Sequence, residues 1–368
     1  LWTCAAGQRD NRDGRRSMAM HRLLERFALL AAALIAALAS AIIPLRAETS
    51  RSCWQPAELR ARAGEERIAK NIAGAYVRFP ATISPRRAPR PEGLRGALRR
   101  VDLPRGIRRI ALTFDLCEQP YEIAGYQGDI VDFLRDRDIA ATFFAGGKWL
   151  LTHAERASQL MSDDRFEIAN HAWEHRNLRL LSGARLAAEI DGPQRAYADL
   201  RRRLAERGCR HPTAARPARP DTLADDISLF RFPFGACNAA ALEAVNDRGL
   251  IAIQWDVSAG DPWRGQTVER MVTHVVERTR PGSILIFHAN GRGWKTGQAL
   301  PRIVDALSAR GYEFVTVSEL LATPGARPRF TETCYDSRPG DSDRYDDLST
   351  RLEVHYRAFY ERVGGREP

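Results

Sequence analysis

The chain has 368 residues, of which 44% are hydrophobic and 28% are charged, and its formal net charge is +10. These values are typical of a folded protein with one large core, or one core with appendages. The basic residues are scattered among acidic ones, without an aromatic-spaced stripe or a Gly-rich RNA motif, so no nucleic-acid partner is expected.

Residues 1–47 resemble an export signal preceded by upstream sequence. Met18 and Met20 are candidate start residues, and basic residues precede an uncharged run over 27–45 with small-residue sites within and after it. The run is also about long enough to span a bilayer, so a retained anchor is the alternative to cleavage. We expect the body to be periplasmic or secreted, with peripheral membrane contact only if the signal is retained.

Residues 48–107 combine a short helical pattern over 58–72 with a connector. The stretch 79–109 is rich in Pro and Arg. Prolines remove backbone donors and restrict the chain, so we predict an extended connector lying on the surface.

From residue 108 onward, short apolar runs alternate with amphipathic segments. The predicted strands are 110–114, 141–145, 166–169, 229–232, 250–255, 283–287 and 313–317. The predicted helices are 130–137, 185–204, 239–248, 268–278 and 300–309. Buried strands that alternate with helices indicate a parallel sheet, here a barrel or a doubly wound sheet over 108–322. Residues 207–228 are predicted to be a surface insertion. Residues 323–368 are a C-terminal extension, with a loop over 324–342 and a helix over 345–363.

Polar residues with catalytic chemistry follow the predicted strands. They are Asp115, His171, His175, Arg231, Asp256, Asp261 and His288. Because chemistry collects at the carboxyl ends of parallel strands, we expect these side chains to converge. His171 and His175 could meet one divalent metal if the backbone between them is helical, with a packing pair as the alternative.

Asp115 and His288 are candidates for proton transfer. A carboxylate that ends an apolar strand near a metal suits a general base, although a helix cap or a loop aspartate is the structural alternative. His288 could protonate a leaving amine, or it could be a buried, hydrogen-bonded histidine.

Five cysteines follow the export signal, and none forms a CxxC pair, so a structural zinc knot is not expected. An oxidising compartment permits disulfides. We hypothesise one disulfide between Cys53 and Cys334 and another between Cys117 and Cys237.

Together, five ordered segments resemble the motifs of the NodB-type polysaccharide deacetylases, carbohydrate esterase family four. They are residues 113–118, 171–175, 231–235, 255–263 and 286–288. The resemblance covers about residues 108–322. It implies a distorted (β/α)7 barrel of parallel strands, flanked by N- and C-terminal extensions.

The resemblance also implies an activity, which is metal-dependent hydrolysis of N-acetyl groups on N-acetylglucosamine-type units. The substrate would be a cell-envelope or exported polysaccharide or oligosaccharide. His171 and His175 would hold a divalent metal, zinc first and cobalt or nickel as options. Asp115 would take a proton from the attacking water, and His288 would give one to the leaving amine.

The remaining motif residues would position these groups. Arg231 would orient Asp115, Asp261 would orient His288, and the backbone N–H of Phe234 would help to hold the oxyanion. The apolar walls for the sugar and the acetyl methyl would come from Phe234, Trp255 and Trp263.

The first motif departs from the family pattern at Leu116, where a metal-binding aspartate is usual. Glu118 is the predicted substitute ligand, since it lies two residues on, at the same strand parity. The alternatives are Asp115 acting also as a ligand, the softer Cys117, and a two-histidine site completed by water. The third motif has Phe234 where tyrosine is common.

Two other functions remain open. A non-catalytic carbohydrate-binding relative would be consistent with Leu116 and the missing tyrosine. A small-molecule amide hydrolase on the same fold would show a closed pocket without a sugar groove.

Overall fold

The computed structural model describes residues 53–83, 87–207, 226–334 and 343–367. The predicted export signal lies outside these residues, and so does most of the predicted insertion, 208–225. Within the described ranges, no helix is both long enough and apolar enough to cross a bilayer.

All seven predicted strands are present, with ends that differ by a few residues. In chain order the strands are β1 (Ala69–Lys70), β2 (Ala97–Asp102), β3 (Arg109–Leu116), β4 (Glu122–Ile123), β5 (Ala141–Ala145), β6 (Phe166–Asn170), β7 (Leu229–Phe230), β8 (Ile251–Ile253), β9 (Val257–Ser258), β10 (Ile284–His288), β11 (Glu313–Val315) and β12 (Arg327–Thr331). Strands β1 and β4 form a separate antiparallel pair, and the others form one ten-stranded sheet.

The large sheet curls into a distorted barrel, as predicted. Its order is β12-β2-β8-β7-β6-β5-β3-β10-β9, with β11 beside the first residues of β3. Neighbouring strands are parallel except for β12 and β2. The N–H of Val101 in β2 donates to the carbonyl of Gly282, just before β10, at 3.0 Å. This contact brings β2 beside β10 at the base of the barrel.

Helices pack on the sheet through their apolar faces. They are α1 (Gly128–Asp136), α2 (Gly147–Thr152), α3 (Ala154–Met161), α4 (Gly183–Arg207), α5 (Ala239–Asp247), α6 (Val268–Arg278), α7 (Thr296–Ala309), α8 (Val317–Leu321) and α9 (Asp346–Val363). The main hydrophobic cluster joins side chains of β3, β5 and β10 to those of α1, α3 and α7. All five predicted barrel helices and the predicted C-terminal helix are confirmed.

The helix predicted over 58–72 is wrong, because the segment forms turns and the short strand β1. Gly64 has a φ of +87°, which interrupts a helix. The buried Arg156 of α3 donates to the backbone carbonyls of Glu58 and Arg60, both at 2.9 Å. This segment is therefore held by the body of the protein.

The surface position predicted for the connector 79–109 is wrong for β2. Leu98 and Val101 are fully buried, and β2 pairs with β8 on one side and β12 on the other. The strand β12 also lies inside the segment predicted to be a loop. Burial of the apolar residues of β2 thus places this strand inside the sheet, although the residues around it are rich in Pro and Arg.

Both predicted disulfides are wrong. Cys237 is bonded to Cys334 across a sequence separation of 97 residues. Cys53 is disulfide-bonded, but not to Cys334, and Cys117 is a buried free thiol.

Candidate active site

Asp115 and Arg231 form a buried ion pair at the carboxyl end of the sheet. Arg231 follows β7, is fully buried, and donates from one Nη1 to Asp115 Oδ1 and to Thr113 Oγ1, each at 2.8 Å. Burial would raise the pKa of Asp115, but the positive charges around the carboxylate, with the Arg231 guanidinium in direct contact, favour the ionised form more strongly, so the pKa is lowered. Asp115 is thus held ionised.

His171 and His175 face the same space, with ring centroids 5.0 Å apart. The premise of a helix between them is wrong: the segment is a loop in which Ala172 and His175 have φ values of +62° and +56°. Two left-handed residues turn the chain so that both rings converge. Burial lowers the pKa of both histidines, which favours neutral, metal-binding imidazoles.

His288 lies opposite Asp115 in the register between β10 and β3. Its Nδ1–H donates to Asp261 Oδ1 at 3.0 Å, and its backbone N–H donates to Asp261 Oδ2 at 2.7 Å. Thr296 Oγ1 donates to the same Oδ2 at 2.8 Å. The ring is therefore fixed, with Nε2 left for a substrate.

The predicted ligand Glu118 does not join the histidine pair. Its carboxylate accepts the N–H of Ala124 at 2.8 Å and the hydroxyl of Thr152 at 3.0 Å, and Lys148 Nζ lies 3.5 Å away. It is fully buried among these partners, and burial raises its pKa to about 7. Glu118 is therefore a structural residue, and its prediction as a ligand is wrong.

A different side chain, Cys117, lies beside the histidines. Within the described residues, one atom each of Cys117, His171 and His175 lie within 4.8 Å of one another. Zinc bonds to nitrogen and sulfur are about 2.0–2.3 Å long, so small side-chain rotations bring these atoms to one ion. His171 Nε2 is buried and has no hydrogen-bond partner in the described part of the chain. The residues present therefore fit a divalent metal.

The aromatic residues differ in their access to the site. Phe234 has a φ of +60°, and its ring lies 4.6 Å from that of His175. Trp263 is 60% exposed beyond Asp261, whereas Trp255 is half-buried near Arg231, 5.6 Å from ring to guanidinium. Phe234 and Trp263 can therefore contact a sugar more directly than Trp255.

Asp256 is not part of the site, because its carboxylate accepts from Ser283 Oγ and from the N–H of Ile284, each at 2.9 Å. The sequence predictions also missed two contributors. Thr296 fixes Asp261, and Tyr345 of the C-terminal extension packs 5.4 Å from Phe234. Neither lies in a motif, so no sequence signal indicated them.

Comparisons with known proteins give consistent matches. The family model described as polysaccharide deacetylase matches residues 102–253. A peptidoglycan-N-acetylglucosamine deacetylase from Bacillus cereus is 30% identical over 224 residues, which are 60% of this chain and 91% of the relative. A chitooligosaccharide deacetylase from Azorhizobium caulinodans is 27% identical, covering 50% and 82% respectively. The crystal structure of a CE4 family pseudoenzyme from Bacillus anthracis matches with a TM-score of 0.46 at 21% identity, covering 61% of this chain and 68% of that one.

Proposed function

The chain belongs to the polysaccharide deacetylase family, and we propose that it hydrolyses N-acetyl groups on N-acetylglucosamine-type units of a polysaccharide or oligosaccharide. The observation that carries this proposal is the arrangement of an ionised carboxylate and a carboxylate-bound histidine on neighbouring strands. Asp115 and His288 are partners in the β3–β10 register, and the histidine pair lies beside Asp115, with His171 Nε2 3.4 Å from Asp115 Oδ2.

The two proton transfers of amide hydrolysis can be assigned to these residues. Asp115 would accept a proton from the attacking water, and Arg231 would keep the carboxylate ionised and in place. His288 would donate a proton from Nε2 to the leaving amine, because its Nδ1 is occupied by Asp261. Phe234, whose ring contacts His175, would form a wall for the acetyl methyl.

His171 and His175 would hold a divalent ion, which as a Lewis acid would activate the water and polarise the acetamide carbonyl. Imidazole nitrogen suits zinc, with cobalt and nickel as alternatives. The proposed location is the periplasm or the outside of the cell, supported by the export-signal pattern. The disulfides at Cys237–Cys334 and at Cys53 are also typical of an oxidising compartment.

The test is acetate release from N-acetylated chitooligosaccharides and peptidoglycan, with the protein zinc-loaded, treated with chelator, and reloaded. We expect activity that chelation removes and zinc restores. Asp115→Asn and His288→Ala should each lose about 10²- to 10⁴-fold in kcat, the usual contribution of a general acid or base. His274→Ala is the matched control, since this histidine is exposed on α6, and it should keep the wild-type rate.

Two other results of this experiment would indicate the two alternative functions, carbohydrate binding without catalysis and hydrolysis of small amides. Zinc-loaded protein that binds the oligosaccharides without releasing acetate would be a carbohydrate-binding relative. Release of acetate only from small amides would indicate a small-molecule hydrolase. Either result would overturn the proposal.

A further inference from the structure

The third protein ligand is the unexplained part of this site. Leu116, which occupies the position usual for a metal-binding aspartate, is fully buried in the main hydrophobic cluster. Its side chain has no donor atom, and Glu118 is held elsewhere. The next residue along the chain, Cys117, is 4% exposed and is not part of a disulfide.

The hydrogen bonding of His171 leaves a lone pair on Nε2, which lies 3.4 Å from Asp115 Oδ2 in the same site. The Nδ1–H of His171 donates to the carbonyl of Arg231 at 2.9 Å, because a carbonyl oxygen can only accept. A neutral ring with its proton on Nδ1 carries a lone pair on Nε2, the buried atom without a hydrogen-bond partner in the described residues. A backbone carbonyl that fixes the tautomer in this way is the common second-shell arrangement for a metal-bound histidine.

Two polar side chains act on the sulfur of Cys117. Asn290 Nδ2 lies 3.0 Å from Cys117 Sγ and also donates to the Cys117 carbonyl at 2.7 Å. Burial raises the pKa of the Cys117 thiol to about 12, and the guanidinium of Arg292 opposes this shift as a nearby positive charge. Without a bound cation the group is therefore a thiol. A hydrogen-bond donor and a cation beside a buried thiol are unnecessary for packing, but both stabilise a thiolate.

We propose that Cys117 is the third protein ligand, bound as a thiolate, so that the metal site is a His₂Cys set with an open position. This inference rests on the proposed function for the presence of a metal and adds the ligand that the motifs do not supply. Sulfur in place of a carboxylate oxygen would favour zinc and cobalt over magnesium and manganese. Binding the ion as a thiolate would release the thiol proton to solvent, and a set of three protein ligands would leave the ion accessible to water.

The test is the absorption spectrum of the full-length protein loaded with Co²⁺. A thiolate ligand gives an intense near-ultraviolet sulfur-to-cobalt charge-transfer band, which does not depend on catalysis. We expect this band in the wild-type protein and its absence in Cys117→Ser. We also expect cobalt binding to weaken by more than about 100-fold in that variant, because the loss of a second-shell partner alone costs about 10- to 100-fold.

Cys117→Asp is the second variant, since a carboxylate can ligate without sulfur. We expect it to recover cobalt binding relative to Cys117→Ser, with the visible cobalt bands but no charge-transfer band. Wild-type protein that binds one cobalt ion without the charge-transfer band would overturn the inference, and so would Cys117→Ser binding cobalt as tightly as wild type.

Failure of this inference and failure of the proposed function are distinguishable. A charge-transfer band without acetate release keeps Cys117 as a ligand and rejects the deacetylase. Acetate release without the band keeps the deacetylase and rejects Cys117. If Cys117→Ser does not fold, as judged by circular dichroism, the wild-type spectrum and Cys117→Asp decide alone.

Discussion

The imidazole of His288 donates from Nδ1 to the carboxylate of Asp261 at 3.0 Å, and this bond sets both the orientation and the charge of the ring. Burial would lower the pKa of His288, but the charge and hydrogen bond of Asp261 outweigh it, so the pKa is raised. A raised pKa keeps the ring protonated when an amine must be protonated. Asp261 is therefore a positioning residue that acts through His288.

Replacing Asp261 with Asn should lower the pKa of His288, because burial remains while the compensating charge is lost. The alkaline limb of the kcat–pH profile should move to lower pH. At pH values above the new limb, kcat should fall by about 10- to 100-fold, less than the full contribution of a general acid. A profile with an unchanged alkaline limb would contradict this role.

The same pair gives a stability signature with a defined sign. The pKa of His288 is higher in the folded state than in the unfolded state. The His288–Asp261 pair therefore contributes fully to the free energy of unfolding below about pH 6.5, and this contribution is lost as the pH rises through the raised folded pKa. Urea unfolding should be measured at one pH below this window and one above it. The free energy of unfolding should decrease between the two pH values in wild type, and it should decrease less in Asp261→Asn.

Arg231→Met should destabilise the fold strongly. It leaves the buried Asp115 carboxylate without its cation, and it also removes donors to the carbonyls of Ile253 and Gln254. Loss of one partner of a buried ion pair costs about 3–5 kcal/mol, measurable as the free energy of unfolding in urea.

The pH dependence of this effect follows from the lowered pKa of Asp115. In wild type the ion pair stabilises the fold above the unfolded carboxyl pKa of about 3.9 and is lost as pH falls through the lowered folded value. In Arg231→Met the acid limb of activity should move to higher pH. Arg231→Lys keeps the positive charge but not the forked geometry of the guanidinium. The acid limb of its activity should therefore lie between those of wild type and Arg231→Met. Equal stability of Arg231→Met and wild type would contradict the pairing.

The barrel could be predicted because its strands are continuous apolar runs that alternate with amphipathic helices. Both patterns can be recognised in short stretches of the sequence. The convergence of Asp115 and His288 followed from placing each at a strand end. The strand β2 was missed because it has only three apolar residues and lies within a stretch rich in Arg and Pro, which is typical of an exposed connector. Its burial depends on β8 and β12, which lie far away in the chain.

The placement of Glu118 and the cysteine pairing were predicted wrongly for a different reason. Strand parity favoured Glu118, but the chain leaves the strand after Leu116, so alternation no longer decides where side chains point. The pairing of Cys237 with Cys334 depends on the fold of the C-terminal extension, which carries no family motif. Cysteine spacing alone does not determine connectivity.

The Cys237–Cys334 disulfide should contribute to stability because it closes a loop with a sequence separation of 97 residues. The double variant Cys237→Ser/Cys334→Ser should lose about 2–5 kcal/mol in the free energy of unfolding. The measurement is urea unfolding without reductant, so that the disulfide at Cys53 stays intact. A double variant as stable as wild type would show that the bond does not constrain the chain.

The C-terminal helix α9 should stabilise the loop over 171–177 in part through the hydroxyl of Tyr360. Tyr360 donates to the carboxylate of Glu174, which lies between His171 and His175, at 2.6 Å. Tyr360→Phe removes a hydrogen bond to a buried charge, so it should cost about 1–3 kcal/mol. It should also weaken zinc binding by about 10-fold, as loss of outer-shell support usually does.

Tyr356→Phe is the matched control for this change, because it lies one turn earlier on the same helix. Its hydroxyl is buried without a hydrogen-bond partner among the described residues, so its removal should be neutral or slightly stabilising. The two variants are compared by urea unfolding and by competition for zinc with a chelator. If both lose the same stability, the helix acts through packing alone. If Tyr360→Phe is destabilised but binds zinc normally, the hydroxyl supports the fold without positioning the histidines.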